Sequence, residues 1–278
     1  MTWYNFNCKK ETKGSAMLAQ GISGTIKWTL DEEGTLFFEP VNGKEGTFAD
    51  TKDFACEWCD DYDNNIKQIK SRGKINLAEN SNNMFSGCLS LVDIDDLKNW
   101  NVSDVIDMSS MFADCISLTN VDALKNWDTS NVTDLFDMFT GCSSLTNLNG
   151  LKNWNTQNVK YVSGMFSGCR SLANLDGLEN WNTEKIEDMA FMFHHCSSLK
   201  NIDAVKDWNT KNVEFLNELF NKCSSLKNID SLKNWNTKNV IYMDGMFAGC
   251  SSLTNIDALK NWDVSNVKTM KKTFLFTS

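Results

Sequence analysis

The chain has 278 residues, and its 41% apolar content is enough for a sizeable hydrophobic core. Its 27 basic against 36 acidic residues give a formal net charge of −9, which argues against nucleic-acid binding because such faces are basic. No apolar run reaches the roughly 18 residues of a membrane-spanning helix, so no membrane insertion is predicted.

The N-terminal part predicts a β-rich capping region over residues 1–75. The opening, "MTWYNFNCKKETKGSAMLAQ", lacks the long apolar stretch of a secretory signal. Two β-prone runs, 25–30 and 35–38, flank the turn "DEEG" and predict a hairpin. A cap of this kind would cover the apolar edge of the repeats that follow.

The N-terminal part also holds three cysteines, Cys8, Cys56 and Cys59. An isolated C-x-x-C pair is a weak signal for redox or zinc chemistry, so we interpret these residues as unpaired or structural thiols. A disulfide between Cys56 and Cys59 is the alternative if the protein is secreted.

Residues 76–278 repeat with a period of 27 residues, and about seven units are complete, with an eighth started. Trp recurs at 100 and 262 and at Trp127, Trp154, Trp181, Trp208 and Trp235. Cys recurs at 88 and 250 and at Cys115, Cys142, Cys169, Cys196 and Cys223. Identical side chains at a fixed period predict ladders, each residue packing on its own image.

Each unit predicts a short helix, a short strand and a corner. Val132, Leu135, Met138 and Phe139 have the apolar spacing of a helix that Ser130 would cap. The segment 144–148, "SLTNL", alternates as a strand does. We therefore predict an α/β solenoid of leucine-rich-repeat-like coils, each with one short helix and one short parallel strand.

The unit V-x-x-M-x-x-M-F-x-x-C-x-S-L-x-N-I-D-x-L-x-N-W-[ND]-T resembles the repeat of the BspA-type leucine-rich repeat surface proteins, in its Trp-containing mycoplasma variant. The segment 21–40 is similar to the β-rich N-terminal segment of that family, and "IKQIK" at 66–70 matches its next strand. The resemblance implies a bacterial protein, on the cell surface or secreted, that binds host or neighbouring proteins.

Catalytic, metal and cofactor chemistry is not indicated. The repeated cysteines bring no second ligand type beside them, so we predict buried, reduced thiols rather than a metal ladder. His194 and His195 occupy a slot held by unrelated residues in other units, which we interpret as surface. No P-loop, dinucleotide or zincin motif occurs, and we predict no enzyme, no metal and no cofactor.

Variable positions of the repeat predict the binding surface. The position seven residues after Trp is variable, and nearby positions add further aromatic side chains. We predict that a ligand-contact patch forms from Phe136, Tyr161, Phe191, Phe215 and Tyr242 on the outer side of the helices. The alternative is that these side chains partly bury against neighbouring helices.

Three functions fit this surface. The first is a non-enzymatic module that binds a protein partner in adhesion. The second is an intracellular scaffold or effector, which the reduced cysteines would suit. The third is a glycan-binding module that uses Tyr161, Phe215 and Tyr242 as stacking platforms.

Overall fold

The computed structural model describes residues 16–51, 58 and 64–275. Its strands are β1 (Met17–Ser23), β2 (Ile26–Asp31), β3 (Thr35–Pro40), β4 (Glu45–Thr47), β5 (Gln68–Ser71) and β6 (Lys74–Asn76). One sheet has the order β1-β2-β3-β5, and β4 pairs with β6 in a second sheet. The predictions for Cys8, Cys56 and Cys59 lie outside the described residues.

The predicted hairpin is present as β2 and β3, which pair antiparallel. Alternate side chains of both strands are buried, as expected for strands with one face on the core. Gly34 closes the turn with φ +90°, a conformation that glycine adopts without steric cost, and its N–H donates to the Asp31 carbonyl. The "IKQIK" segment contributes β5, which pairs parallel to β3, while β1 is an additional antiparallel strand.

The two sheets continue directly into the coils. Parallel bridges join Gln68 to Asp93 and Asn76 to Asn101. A further row of bridges then runs along the whole stack, each joining residues 27 positions apart: Asn80, Asp107, Asp134, Tyr161, Asp188, Phe215, Tyr242 and Thr269. The parallel pairing in each coil is therefore one residue wide rather than a strand.

The predicted short helix is wrong, because its segment forms successive turns. The N–H of Met138 donates to the Leu135 carbonyl three residues earlier, whereas the N–H groups of Leu135 and Phe139 donate to the next coil. Asp137 has φ +52°, which no α-helix contains. Turns of three residues repeat apolar positions at nearly the same spacing as a helical face, which explains the error.

The predicted strand at 144–148 is also wrong. Only one backbone bond reaches the preceding coil from this segment, from the Thr146 N–H to the Thr119 carbonyl. The Leu145 N–H instead donates to Cys142 within its own turn. The parallel pairing lies ten positions earlier in the unit, at Asp134.

Short 3₁₀ helices form corners of the coils: Asp95–Asn99, Asp122–Asn126, Asn149–Leu151, Asp203–Val205, Asp230–Leu232 and Asp257–Leu259. The same turn precedes these helices in several coils. In it the Asn120 side chain accepts the Asp122 N–H, and equivalent residues repeat the bond. Within the described part of the chain, no helix has the length and apolar character to cross a membrane.

The core is a single cluster that extends from β2 through the coils. Aromatic rings stack along it, as in Phe112–Phe139 at 5.6 Å and Trp127–Trp154 at 6.3 Å between centroids. Each repeated Trp from Trp127 to Trp262 also donates its indole N–H to an earlier carbonyl, as Trp154 Nε1 does to Leu124 O at 3.1 Å, whereas Trp100 donates to Ser71 Oγ. Tryptophan therefore fills the corner and satisfies a buried carbonyl there, which phenylalanine cannot do.

The repeated cysteines from Cys115 to Cys250 are buried thiols whose Sγ atoms donate to phenylalanine carbonyls, as Cys196 does to Phe166 O at 3.2 Å. Burial raises the pKa of the Cys196 thiol to about 12. These thiols are therefore protonated and inert at neutral pH.

Candidate functional site

The variable position that follows each Trp by seven residues lies in the row of bridges. We define the ladder face as the bridge residues from Asn80 to Thr269 with the flanking exposed side chains. The residue that follows each bridge position from Asp107 to Tyr242 is buried, as Leu135 and Val162 are. Variable side chains therefore stand in register on a fixed backbone, one coil apart.

Aspartates dominate the first half of the ladder face. The carboxylates of Asp107, Asp134 and Asp188 each accept the backbone N–H two residues later, at 2.7–2.8 Å. Burial raises the pKa of Asp134 above its ordinary value, and the charges of Asp107 and Asp188 add to the rise. The hydrogen bonds fix the carboxylates in place, and no cationic side chain in the described part of the chain forms an ion pair with them.

Exposed aromatic side chains flank these aspartates. Phe136 is 44% exposed, Tyr161 41% and Phe191 40%, whereas the repeated core phenylalanines are fully buried. Phe191 has φ +58°, which the equivalent turn residues Asp137 and Gly164 share. Large apolar groups exposed to water are typical of a contact surface.

The second half of the ladder face carries a stacked aromatic pair. The rings of Phe215 and Tyr242 lie 5.7 Å apart with an interplanar angle of 12°, and both side chains are half-buried. The Lys268 ammonium lies 5.9 Å from the centroid of the Tyr242 ring. The facing sides of these two rings are therefore occupied by each other.

The five predicted contact residues are thus brought together in part. Phe215 and Tyr242 touch, and Tyr161 stands in the same bridge row, separated from Phe215 by Asp188. Phe191 contacts His194 instead, with ring centroids 6.1 Å apart. The patch lies on turns rather than on helices, so the predicted helical face does not exist.

His194 is part of a half-buried cluster that the sequence interpretation missed. Ser167 Oγ lies 3.3 Å from His194 Nδ1, and Glu218 Oε2 lies 3.6 Å from His194 Nε2. Burial lowers the pKa of His194, and the charges of Lys222 and His195 lower it further. Ser167 precedes His194 by one repeat period. The contact could therefore have been predicted from the sequence, by counting one period back from His194.

The backbone N–H groups at and after Ser167 are already engaged in hydrogen bonds. The N–H of Ser167 donates to Gly164 O, that of Gly168 to His194 O and that of Cys169 to Phe166 O. An oxyanion beside Ser167 would therefore find these three backbone donors occupied. In the described ranges, no group of three or more His, Cys, Asp or Glu is placed to hold a metal ion.

An apolar cavity of about 340 Å³ lies at the last described coil and includes Met246, Leu259, Trp262 and Met270 in its lining. The equivalent tryptophans of earlier coils are buried under the following coil, as Trp235 is under Trp262. The cavity is therefore the stacking surface of a coil, distinct from the ladder face.

The repeated turns, the ladders and the bridge row define a repeat protein of the solenoid class. The model of the family described as "Mycoplasma protein of unknown function, DUF285" matches residues 79–201 and 173–278, and the chain belongs to this family. The match confirms the resemblance to the mycoplasma-type repeat. No curated protein is significantly similar to the chain.

Two solved structures are distantly similar to the chain. A leucine-rich repeat protein from Eubacterium ventriosum is 13% identical with a TM-score of 0.33, over 95% of this chain and 96% of that one. A leucine-rich cell surface protein from Faecalibacterium prausnitzii is 14% identical with a TM-score of 0.18, over 91% of this chain and 98% of that one.

Proposed function

We propose that the chain is a non-enzymatic protein-binding module that displays the ladder face on a rigid solenoid. One observation carries the proposal: the bridge row varies, Tyr161 in it and Phe136 and Phe191 near it are exposed, and the residue that follows each bridge position from Asp107 to Tyr242 is buried. Aromatic side chains are enriched in protein interfaces, where they bury large areas at a low entropic cost.

The proposed repeating unit is a coil of 27 residues, which bridges between residues 27 positions apart support. The division into a capping region, 1–75, and a solenoid, 76–278, stays a prediction. The continuous core supports a stiff scaffold across that boundary, because each coil is packed on its neighbours on both sides.

Adhesion at the cell surface or after secretion is the proposed setting, on the strength of the BspA-type resemblance. An intracellular scaffold is the alternative, supported by the buried, reduced cysteines. The glycan alternative has less support, because a sugar stacks on a ring face, and the Tyr242 ring is stacked on Phe215 with the Lys268 ammonium 5.9 Å from its centroid.

Site-specific photocrosslinking tests the protein-binding proposal. A photoreactive phenylalanine analogue replaces Tyr161 in the full chain, and in a matched control it replaces exposed Asn180 in a corner segment. Both proteins are incubated with intact host epithelial cells and with neighbouring bacteria, and the crosslinked proteins are identified by mass spectrometry.

We expect a defined protein to crosslink at position 161 and not at position 180, and competition by unlabelled protein to abolish the product. A Phe136→Ala/Tyr161→Ala variant should compete at least about tenfold more weakly, since each aromatic contact contributes roughly 1 kcal/mol or more. Identical crosslinks from both positions, or equal competition by the variant, would contradict the proposal.

A further inference from the structure

The first coils of the ladder face combine acidic and exposed apolar side chains. We define the acidic end by seven residues: Glu79, Asp104, Ile106, Asp107, Asp134, Phe136 and Tyr161. The N–H groups of Ile106 and Asp107 both bond to the Glu79 carbonyl, and Asp107 bridges to Asp134. Backbone bonds therefore hold its acidic residues in adjacent coils.

A groove of about 280 Å³ opens at this end. Its lining consists of Glu79, Asp104, Ile106, Asn131 and Thr133. Ile106 is 42% exposed, so the groove pairs two carboxylates with an apolar wall. The acidic end therefore offers more than a charged surface, because apolar area is available for burial.

The carboxylates of the acidic end have no cationic partner within the described residues. Ion pairs form elsewhere in that part of the chain, for example between Lys70 and Asp93, and none of them involves Asp104, Asp107 or Asp134. Asp107 and Asp134 are neighbours in the bridge row, so their charges repel each other. Binding of a cation between the coils would relieve this repulsion.

We propose that the acidic end docks an arginine-bearing segment of the protein partner; the inference rests on the proposed protein-binding function. A guanidinium pairs with two carboxylate oxygens at once and stacks on aromatic rings, whereas an ammonium does neither as well. Phe136 and Tyr161 supply exposed aromatic surface beside Asp134. Arginine flanked by apolar residues therefore matches both components of the surface.

Fluorescence anisotropy with labelled 12-residue peptides tests the inference on the full chain. The probe alternates arginine with leucine, and two control peptides replace every arginine with lysine or with glutamate. The variant Asp107→Asn/Asp134→Asn keeps side-chain oxygens that accept the Ser109 and Phe136 N–H groups. The matched control, Asp176→Asn/Asp230→Asn, removes the same charge from the corner segments.

We expect the arginine peptide to bind roughly twofold or more tightly than the lysine peptide, and the glutamate peptide not to bind. The ladder variant should weaken arginine-peptide binding about fivefold or more, and the corner variant should change it less than about twofold. Thermal unfolding of both variants shows whether the fold is retained.

Equal weakening by the two variants would overturn the inference, because it would reduce the binding to attraction by the net negative charge. Failure of the arginine peptide to bind the unaltered chain would overturn it as well. If position 161 still crosslinks to a defined protein in that case, the protein-binding proposal stands and only the partner chemistry is wrong.

Discussion

At the scale of single residues, the repeat assigns each side chain a neighbour of its own kind. The arrangement stabilises the protein at Trp and Phe, which stack on the adjacent coil, and at Cys, which donates to a carbonyl of that coil. Stacking is unfavourable for aspartate, since Asp107 lies beside Asp134 in the bridge row. The acidic positions of the ladder face therefore cost stability that a purely structural role would not require.

Replacement of Asp134 by asparagine should stabilise the protein at neutral pH. Burial raises the pKa of Asp134, so the stability it contributes is present at low pH and is lost as the pH rises through the folded-state pKa. Asparagine keeps the bond to the Phe136 N–H without the charge. We expect the Tm to rise by about 1–3 °C near pH 7, a small value because solvent screens a half-exposed group.

Differential scanning calorimetry between about pH 3 and pH 7 checks this expectation, and the difference should vanish near pH 3, where aspartate is neutral in both states. Asp128→Asn is the control, and it should lower the Tm near pH 7. Hydrogen bonding to Ser130 lowers the pKa of Asp128, so its charge stabilises the fold above the ordinary pKa. A rise in Tm for both variants would contradict the pKa assignment.

At the scale of elements, the turns are stable because their backbone N–H groups donate alternately to carbonyls of the same coil and of the next coil. Leu135 and Asp137 donate to the following coil, while Met138 donates within its own turn. Close stacking at the corners requires small residues, and Ala123, Gly150, Gly177, Ala204, Ser231 and Ala258 share one position of the unit.

Gly177→Ala should destabilise the protein by about 1–3 kcal/mol. Gly177 has φ +109°, and a Cβ there would lie 2.3 Å from the backbone carbonyl oxygen of Leu148. The carbonyl belongs to the preceding coil and cannot rotate away as a side chain can. Urea unfolding followed by circular dichroism measures the loss.

The matched variant for this position is Ala204→Gly in the next coil, where no positive φ occurs. We expect it to cost about 0.5–1 kcal/mol, from backbone entropy alone. If Gly177→Ala costs no more than Ala204→Gly, close approach of the coils at this corner is not the reason for glycine.

At the scale of the whole molecule, one core joins the sheets to the coils. Phe38 of β3 lies 5.1 Å from Trp58 and 5.4 Å from Trp100 between ring centroids, and Phe85 continues the contact into the phenylalanine ladder. Each layer nevertheless touches only the layers beside it, which makes local loss of structure possible without global unfolding.

Phe38→Ala should therefore weaken one end of the molecule selectively. We expect the free energy of unfolding to fall by about 3–5 kcal/mol. The first amides to lose protection should be those of the adjacent layers, such as Ile69 and Leu77. Hydrogen exchange with mass spectrometry should show faster exchange there, while the Phe166 amide in the central coils stays protected.

Phe166→Ala serves as the comparison, because Phe139 and Phe193 stack on both sides of that ring at 5.8 Å. Its effect should centre on residues 139–193 and leave Ile69 protected. Uniform loss of protection in both variants would show that the chain unfolds as one cooperative unit instead.

The period, the constant positions and the variable ones can be read directly from the residues, because stacking places each residue against its own copy. From these followed the family resemblance, the buried cysteines and the position that carries Tyr161 and Phe215. The N-terminal hairpin was also predictable, since alternation and the "DEEG" turn are local signals.

The backbone partners of the turns, and the variable side chains that meet, depend on how the coils stack. The apolar spacing of Val132, Leu135 and Met138 fits a helix and a set of turns equally well. A helix and a set of turns differ in whether an N–H donates to a carbonyl of its own coil or of the next. Only the packed coils therefore distinguish the two. The burial of His194 and the stacking of Phe215 on Tyr242 depend on contacts between coils in the same way.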